Sequence, residues 1–395
     1  MKTLHVSDLG KIITGNTPPR SQPDLYGNYI PFIKATDITE GQKYTREPEE
    51  YYSERGYAKY KRSLIPAGAT CVVTIGSIGK KMTMACCDCF INQAMNAVIP
   101  NKSFDAEYIY YALKFYLPKL KILDSGTASG RENVSKNAFS NMEIDIIEDY
   151  ETQKTIGRIL STYDNLIENN QKQIKLLEEA AQRLYKEWFI DLRFPGHENT
   201  PIHDGLPEGW RIGTLDEIAI DSGKTEKKEN RETYRYYLPI DCLPKESLAY
   251  TVTNDISLAE SSLISFVPGD ILFGAMRPYF HKVVVARDCG LTRSTCFVIN
   301  AKEDSFWSYL TMLLFSKETI DYATKISVGT TMPYVRWKDF QKMIILIPSN
   351  NVSIKFNEII KPVIERINYI ANSIIKANQL RDDLLPQLMN GKLEI

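Results

Sequence analysis

The sequence predicts an α+β fold: two tandem mixed α/β domains separated by two long antiparallel coiled-coil helices. Two observations carry that prediction. One plan is stated twice, about two hundred residues apart, and each statement closes on a long apolar seam of helical period. The halves open on "GKIITGNTP" from Gly10 and "IAIDSGKT" from Ile218, followed by "YIPFIKATDI" around Pro31 and "YYLPIDCLP" around Pro239. A turn then launches an apolar strand in "LIPAGATCVVTIGSIGKK" from Leu64 and "FVPGDILFGAMRPYFHK" from Phe266. "SGTASGRENVSKNAFSNMEIDII" from Ser125 answers "SVGTTMPYVRWKDFQKMIILIP" from Ser327. That period is too long for a solenoid, so whole domains are duplicated.

Residues 1–150 form the first domain. Val72–Ile75 and Ala94–Ile99 read as strands from their Val, Ile and Thr content or bounding turn residues. Asp105–Phe115 reads as a helix, because Tyr108, Tyr111, Ala112 and Phe115 share a stripe, and Met142–Ile147 closes the domain. From Glu151 to Trp188 no proline occurs. Ile156, Ile159, Leu160, Tyr163, Leu166, Asn170, Ile174, Leu177, Ala181, Leu184 and Trp188 keep a three-four rhythm, a coiled-coil signature. About 37 residues at 1.5 Å each give a rod of roughly 55 Å. The helix is assigned to 151–192, and the proline- and glycine-rich stretch 193–209 to a linker.

In the second domain, 210–350, Phe266–Phe273, Lys282–Ala286 and Met343–Ile347 are strand-like, and Trp307–Phe315 is a helical stripe. The closing helix, 351–395, keeps the seam through Phe356, Ile360, Val363, Ile367, Ile370, Ile374, Ala377, Leu384 and Leu388. Pro362 lacks an N–H, so a kink or a late start is expected there, and Pro386 should loosen the last turn. Neither seam finds enough cover in its own half. The helices are therefore expected to pair with each other, antiparallel, with a domain at each end. Asn170 and Asn378 fall at or beside the seam, either fixing register or sitting on the surface.

The totals narrow the class. Apolar content of 43% and charged content of 25% are those of a globular protein of two to three domains. No run of eighteen apolar residues and no export pattern occur, so a cytoplasmic location is expected. The seven cysteines suit a reducing compartment. A net charge of −1 counts weakly against nucleic acid, because binding needs a positive face, not a positive total.

Catalytic signatures are missing. "GSIGKK" from Gly76 and "SGKT" from Ser222 lack the preceding glycine that wraps backbone N–H groups around phosphates. "CCDC" at Cys86–Cys89 has no second pair for zinc and reads as a buried strand segment. His281 has no Ser or Cys elbow to serve. Neither a Gly-rich methyltransferase loop nor a nuclease constellation is found. The chain is expected to perform no chemistry itself, and no catalytic or metal-binding residue is assigned.

What the loops offer is basic, polar and aromatic side chains, gathered in matching segments of both halves. Arg and Lys take phosphates or the guanine edge, Asn, Ser and Thr reach phosphates or adenine, and Tyr adds flat contact area. In the first half the candidate double-stranded DNA contacts are Lys43, Arg46, Lys59, Lys61, Arg62, Ser77, Lys80, Lys81, Ser129, Arg131, Asn133 and Lys136. In the second they are Lys224, Lys227, Lys228, Arg231, Arg235, Arg277, Tyr279, His281, Lys282, Arg293, Thr330, Thr331, Tyr334 and Arg336. Solvated loops are the bland alternative; matched placement favours binding. Unlike loops on a rigid rod imply two different short sites separated by an unread gap.

"IPFIKATDI", "TIGSIGK", "NVSKNAFSNMEI" and "QKTIGRILSTYDNLIENNQKQIKLLEEAAQRLYKEWF", with "LFGAMRPYFHKV", "ISVGTTMPYVRWKDF" and "LRDDLLPQLMNGKL", resemble the specificity (S) subunits of type I restriction–modification systems. The resemblance covers essentially the whole chain. It implies a non-catalytic DNA-specificity subunit in phage defence, partnered by two methyltransferase subunits and by restriction subunits. S-adenosylmethionine, ATP and Mg²⁺ would belong to those partners, and this chain would bind no cofactor. It also implies that the helices present Leu166, Leu177, Leu184, Tyr185, Trp188, Phe189, Ile370, Ile374, Leu384 and Leu388 to the methyltransferase subunits. A protein-only coiled-coil adaptor and a free-standing DNA methyltransferase stand as alternatives.

Overall fold

The computed structural model describes residues 1–126 and 132–393. The chain divides into two units, Met1–Glu168 with Ala377–Ile395, and Asn169–Lys376. Both long helices, Tyr150–Tyr185 and Asn350–Met389, cross that division, so each unit owns one mixed α/β domain and a portion of each helix.

In unit 1 the strands Gly10–Thr14, Met95–Pro100, Thr70–Val73 and Met82–Met84 form an antiparallel sheet in that order. Cys71, Val72, Val73, Ala97 and Val98 are all buried, so these strands read as continuous apolar runs. The helix Ala106–Tyr116 starts where the Asp105 carboxylate accepts the Tyr108 N–H at 2.9 Å. It packs Tyr108, Tyr111 and Ala112 into a core shared with Ile156 and Leu160 of the central helix and Leu385, Leu388 and Met389 of the closing one. Gly157 permits that approach: a Cβ there would stand 2.8 Å from the Glu107 Cβ. A second sheet joins Tyr26–Gly27, Glu50–Tyr52, Ile30–Ile33 and Phe90–Ile91, the last pair parallel.

Unit 2 repeats the first sheet with Ala219–Asp221, Cys296–Ala301, Ile271–Gly274 and Val283–Val285. Its core gathers Tyr185, Trp188, Phe189, Tyr309, Phe356, Ile360 and Ile364. Trp188 and Phe189 meet Phe356 at ring-centroid distances of 5.4 and 4.8 Å. Burying each such side chain contributes about 1.5–3 kcal/mol. The second sheet does differ. Here Leu263–Phe266 lies between Lys224–Glu226 and Gly290–Arg293, with Tyr236–Tyr237 parallel at the edge.

The buried stripes of the two helices align at a constant offset of 200 positions. Ile156 answers Phe356, Leu160 answers Ile360, Asp164 answers Ile364, Ile167 answers Ile367, and Trp188 answers Leu388. The expected seam is therefore displaced in its middle: Asp164 and Ile167 are buried where Tyr163 and Leu166 were expected, and Leu166 is 45% exposed. Tyr163 and Leu166 lose because Asp164 finds a buried arginine and its place faces the domain. Asn170 is buried, and Asn378 half-buried.

Other expectations need correction. Phe266–Phe273 is two strands, broken by a turn in which Asp270 accepts the Val267 N–H and Gly269 takes φ +92°. Helix runs continuously through Pro362, starting well before it; the proline sits on the exposed face. Pro386 likewise lies within the helix. The central helix ends in a wide π turn, Lys186–Ile190. In the linker, Phe194 is buried and stacks on Trp210 at 5.0 Å. "CCDC" is a bend rather than a buried strand: Cys87 is exposed and Cys89 buried.

Candidate functional site

Three backbone hydrogen bonds recur at an offset of 201 positions. Ala94 accepts from Thr74 at 2.8 Å and Thr295 from Ala275 at 2.9 Å; Glu132 accepts from Gly76 at 3.0 Å and Pro333 from Arg277 at 2.7 Å. Thr74 accepts from Val134 at 2.8 Å, and Ala275 from Val335 at 2.9 Å. Each set ties the turn leaving a central strand to the loop that precedes the closing strand. Antiparallel bridges Ile75–Asn133 and Met276–Tyr334 complete the match. The two units thus hold one backbone clamp and dress it with unlike side chains.

In unit 1 the clamp exposes Ser77 and Lys80, with Asn133 half-buried and Lys136 exposed at the start of the short helix capped by Ser135. In unit 2 a hairpin closed by Val328 and Tyr334 lies against the turn, and the Arg277 guanidinium donates to the Thr331 carbonyl at 3.3 Å. The Tyr334 hydroxyl donates to the Ser294 carbonyl at 3.3 Å, beside exposed Arg293. So Arg277, Thr330, Thr331, Tyr334 and Arg293 are brought to one place, with Tyr279 49% exposed on the same turn. Arg277 takes φ +51° where its counterpart Gly76 takes +91°. For a residue with a Cβ that backbone costs roughly 1–2 kcal/mol. Strain of this kind is carried at functional sites.

Several candidates are engaged by contacts within the chain. Lys43 is 4% exposed, ion-paired to Glu107 and bonded to Ser161 at 2.9 Å, because a buried ammonium requires a carboxylate. Arg46 pairs with Glu168, Lys228 with Glu260 at 3.1 Å, and Arg336 with Asp339 at 2.7 Å. Arg231 donates to the Ser257 carbonyl at 3.0 Å, Lys282 to the Ile240 carbonyl at 2.7 Å, and Lys81 to the Ala35 carbonyl at 3.4 Å. His281 is half-buried with Nε2 3.0 Å from the Phe315 carbonyl oxygen; burial pushes its imidazole below the usual value. Lys59, Lys61 and Arg62 ride on the short helix Glu54–Tyr60 and the turn after it, with Lys59 bonded to Gln22 at 2.7 Å. Lys224, Lys227 and Arg235 are exposed at the second sheet of unit 2. Ser129 and Arg131 lie outside the described residues.

The helix candidates divide the same way. Tyr185, Trp188 and Phe189 are buried in the core of unit 2 and Leu388 in that of unit 1, Ile370 and Ile374 are buried as well, and Leu177, Leu184 and Leu384 are half-buried. Leu166 remains open. Sequence reading missed Leu176, Tyr369 and Leu380, which are 65%, 63% and 51% exposed, and Met332 at the hairpin tip, 61% exposed. An apolar residue off the three-four seam was the signal available. Among the described residues no helix is long and apolar enough to cross a membrane.

Residues 1–179 match the family model of the type I restriction modification DNA specificity domain. Residues 1–179 thus carry that specificity domain, and the chain as a whole is similar to type I specificity subunits. A type I restriction enzyme MjaIX specificity subunit of Methanocaldococcus jannaschii is 25% identical across 99% of this chain and 93% of its own length. The HindI specificity subunit of Haemophilus influenzae is 33% identical, over 43% of this chain and 37% of its own. In fold, a crystal structure of a type I restriction–modification S subunit from M. genitalium superposes with TM-score 0.60 at 17% identity. It covers 98% of this chain and 95% of that one. The likeness in fold therefore extends past residues 1–179 to the second unit.

Proposed function

We propose that this chain is the non-catalytic DNA-specificity subunit of a type I restriction–modification complex. Each unit reads one half of an asymmetric bipartite target in double-stranded DNA. The observation that carries this reading is the clamp repeated in both units with different side chains. One backbone scaffold presents Ser77 and Lys80 in unit 1, and Arg277, Tyr279 and Thr331 in unit 2. Equal scaffolds with unequal chemistry suit two unequal short words, and the differing second sheets add to the inequality.

Exposed apolar residues on the helices, Leu166 and Leu380 in unit 1 and Leu176 and Tyr369 in unit 2, support docking of two methyltransferase subunits. Restriction subunits complete the complex. S-adenosylmethionine, ATP and Mg²⁺ serve those partners, and methylation of a paired adenine requires its extrusion into a partner's pocket. The length of helix between the units sets the unread gap, and the complex acts in the cytoplasm.

The decisive experiment is sequencing of methylated DNA from cells that express this subunit with its partners, before and after unit 2 is exchanged for a foreign counterpart. One half of the modified motif changes and the other stays. A change in both halves, or in neither, overturns the reading.

A further inference from the structure

The hairpin that lies against the Arg277 turn of unit 2 carries Gly329, Thr330, Thr331 and Met332 at its tip, and Met332 is 61% exposed. A methionine scattered singly over a surface calls for no explanation. This one stands where the clamp gathers Arg277, Thr331, Tyr334 and Arg293, and its backbone is braced. Val328 and Tyr334 close the hairpin with mutual backbone hydrogen bonds of 3.0 and 2.9 Å. On either side of Met332, the Thr331 carbonyl accepts from the Arg277 guanidinium at 3.3 Å and the Pro333 carbonyl from the Arg277 N–H at 2.7 Å. Pro333 also keeps the residue before it out of the helical region. Gly329 takes φ +100°, and a Cβ there would stand 3.3 Å from the Met332 carbonyl oxygen, so the tip is as tight as glycine allows.

A braced backbone thus presents a flexible, unbranched, apolar side chain that adapts to the surface it meets. Against a duplex its options are few. Phosphates and base edges present charges, donors and acceptors, which Arg, Thr and Tyr match and a thioether does not. The apolar exception is the C5 methyl group of thymine, which projects into the major groove. Val328 is also half-exposed, but it sits at the closed base of the hairpin, and Tyr279 carries a hydroxyl for a polar edge. Met332 alone joins an apolar side chain to the tip.

We propose that Met332 is a specificity-determining residue of unit 2, selecting one thymine of its half-site by packing the thioether against the C5 methyl in the major groove. The inference rests on the reading of unit 2 as a DNA half-site reader and names how one letter of that half is chosen. Arg277, Thr331 and Arg293 supply polar contacts around it, and Met332 supplies the apolar one.

The unit 2 half-site is the half of the modified motif that changes when unit 2 is exchanged. The assay measures, by anisotropy, binding of the full-length chain assembled with its methyltransferase partners to duplexes of that motif. Each thymine of the half-site is replaced singly by deoxyuridine, which removes the C5 methyl and leaves base pairing unaltered. At one position uracil is expected to weaken binding by roughly threefold to tenfold, the worth of one buried methyl contact. Met332→Ala weakens binding to thymine DNA by a similar factor, and uracil at that position then costs nothing more. Met332→Leu stays within about twofold of the native chain and keeps the uracil effect. Met332 is exposed, so neither variant disturbs a core. Native-like binding by Met332→Ala overturns the proposal, as does uracil sensitivity that is the same with and without the methionine, or a half-site holding no thymine on either strand. Each of those outcomes leaves specific binding in place, whereas failure of the recognition reading shows as a motif that exchange of unit 2 does not alter.

Discussion

Arg381 of the closing helix and Asp164 of the central helix form an ion pair in unit 1 with side chains only 3% and 4% exposed. Asp164 also accepts from the Tyr111 hydroxyl at 2.5 Å, and Arg381 reaches the Gly41 carbonyl at 3.4 Å. At the equivalent seam positions unit 2 has Ile364 and Ala181, both buried and apolar. One end of the helix pair is therefore keyed by charge and the other by hydrocarbon.

Breaking that key leaves a buried charge uncompensated. Arg381→Met is expected to destabilise the chain by about 3–5 kcal/mol in urea unfolding. Adding Asp164→Leu recovers most of the loss, short of about 1–3 kcal/mol for the Tyr111 hydroxyl left without an acceptor. If the double variant is no better than the single, the pair is not the source of the effect.

Glu178 supplies a pH dependence. Burial raises its carboxyl from 4.5 to about 7, although Ser247 and the Leu248 N–H donate to it at 2.7 Å. The folded state holds this proton more tightly than the unfolded chain does. The stability that Glu178 contributes is thus full below pH 4.5 and is lost as pH rises through about 7. Glu178→Gln keeps both acceptor contacts, removes that slope and raises stability at pH 8 by about 1–3 kcal/mol. Thermal melts across pH 5 to 8 on both proteins measure the difference.

At Arg277 strain and recognition pull in opposite directions. Arg277→Gly relaxes the φ of +51° and is expected to leave stability unchanged or up by about 1 kcal/mol. The same change weakens reading of one half-site by about 1–3 kcal/mol at a single base position. Methylation profiling should show relaxed specificity in that half alone; an unaltered motif would remove Arg277 from base readout.

Both long helices cross the division between units, after Glu168 and after Lys376. Inserting four residues at each crossing lengthens the helical connection by roughly 6 Å. At about 3.4 Å per step the unread gap grows by one or two base pairs. The modified motif is expected to keep both words and widen between them. Altered words would mean that the helices do more than measure distance.

Within the sequence, the duplication was legible because strands and helices repeat their apolar periods locally: Cys71 and Val72 against Leu272 and Phe273, Ile156 and Leu160 against Phe356 and Ile360. The clamp segments were legible for the same reason, as turns of glycine, proline and polar residues at matched places. Which basic side chains stay free was not. Lys43 and Arg46 carry the composition of a binding loop, yet their partners Glu107 and Glu168 stand 64 and 122 residues away.

By itself the sequence determined two mixed domains, two long helices and the loops where basic, polar and aromatic side chains gather, since hydrophobic period and turn chemistry act between near neighbours. Only the tertiary structure decided the rest: Asp164 and Glu178 turn inward, Leu166 turns outward, and Tyr185 and Trp188 close the chain's own core. The physical reason is that burying a charge, or leaving one exposed, depends on a partner brought from far along the chain. Arg381 lies 217 residues from the aspartate it neutralises.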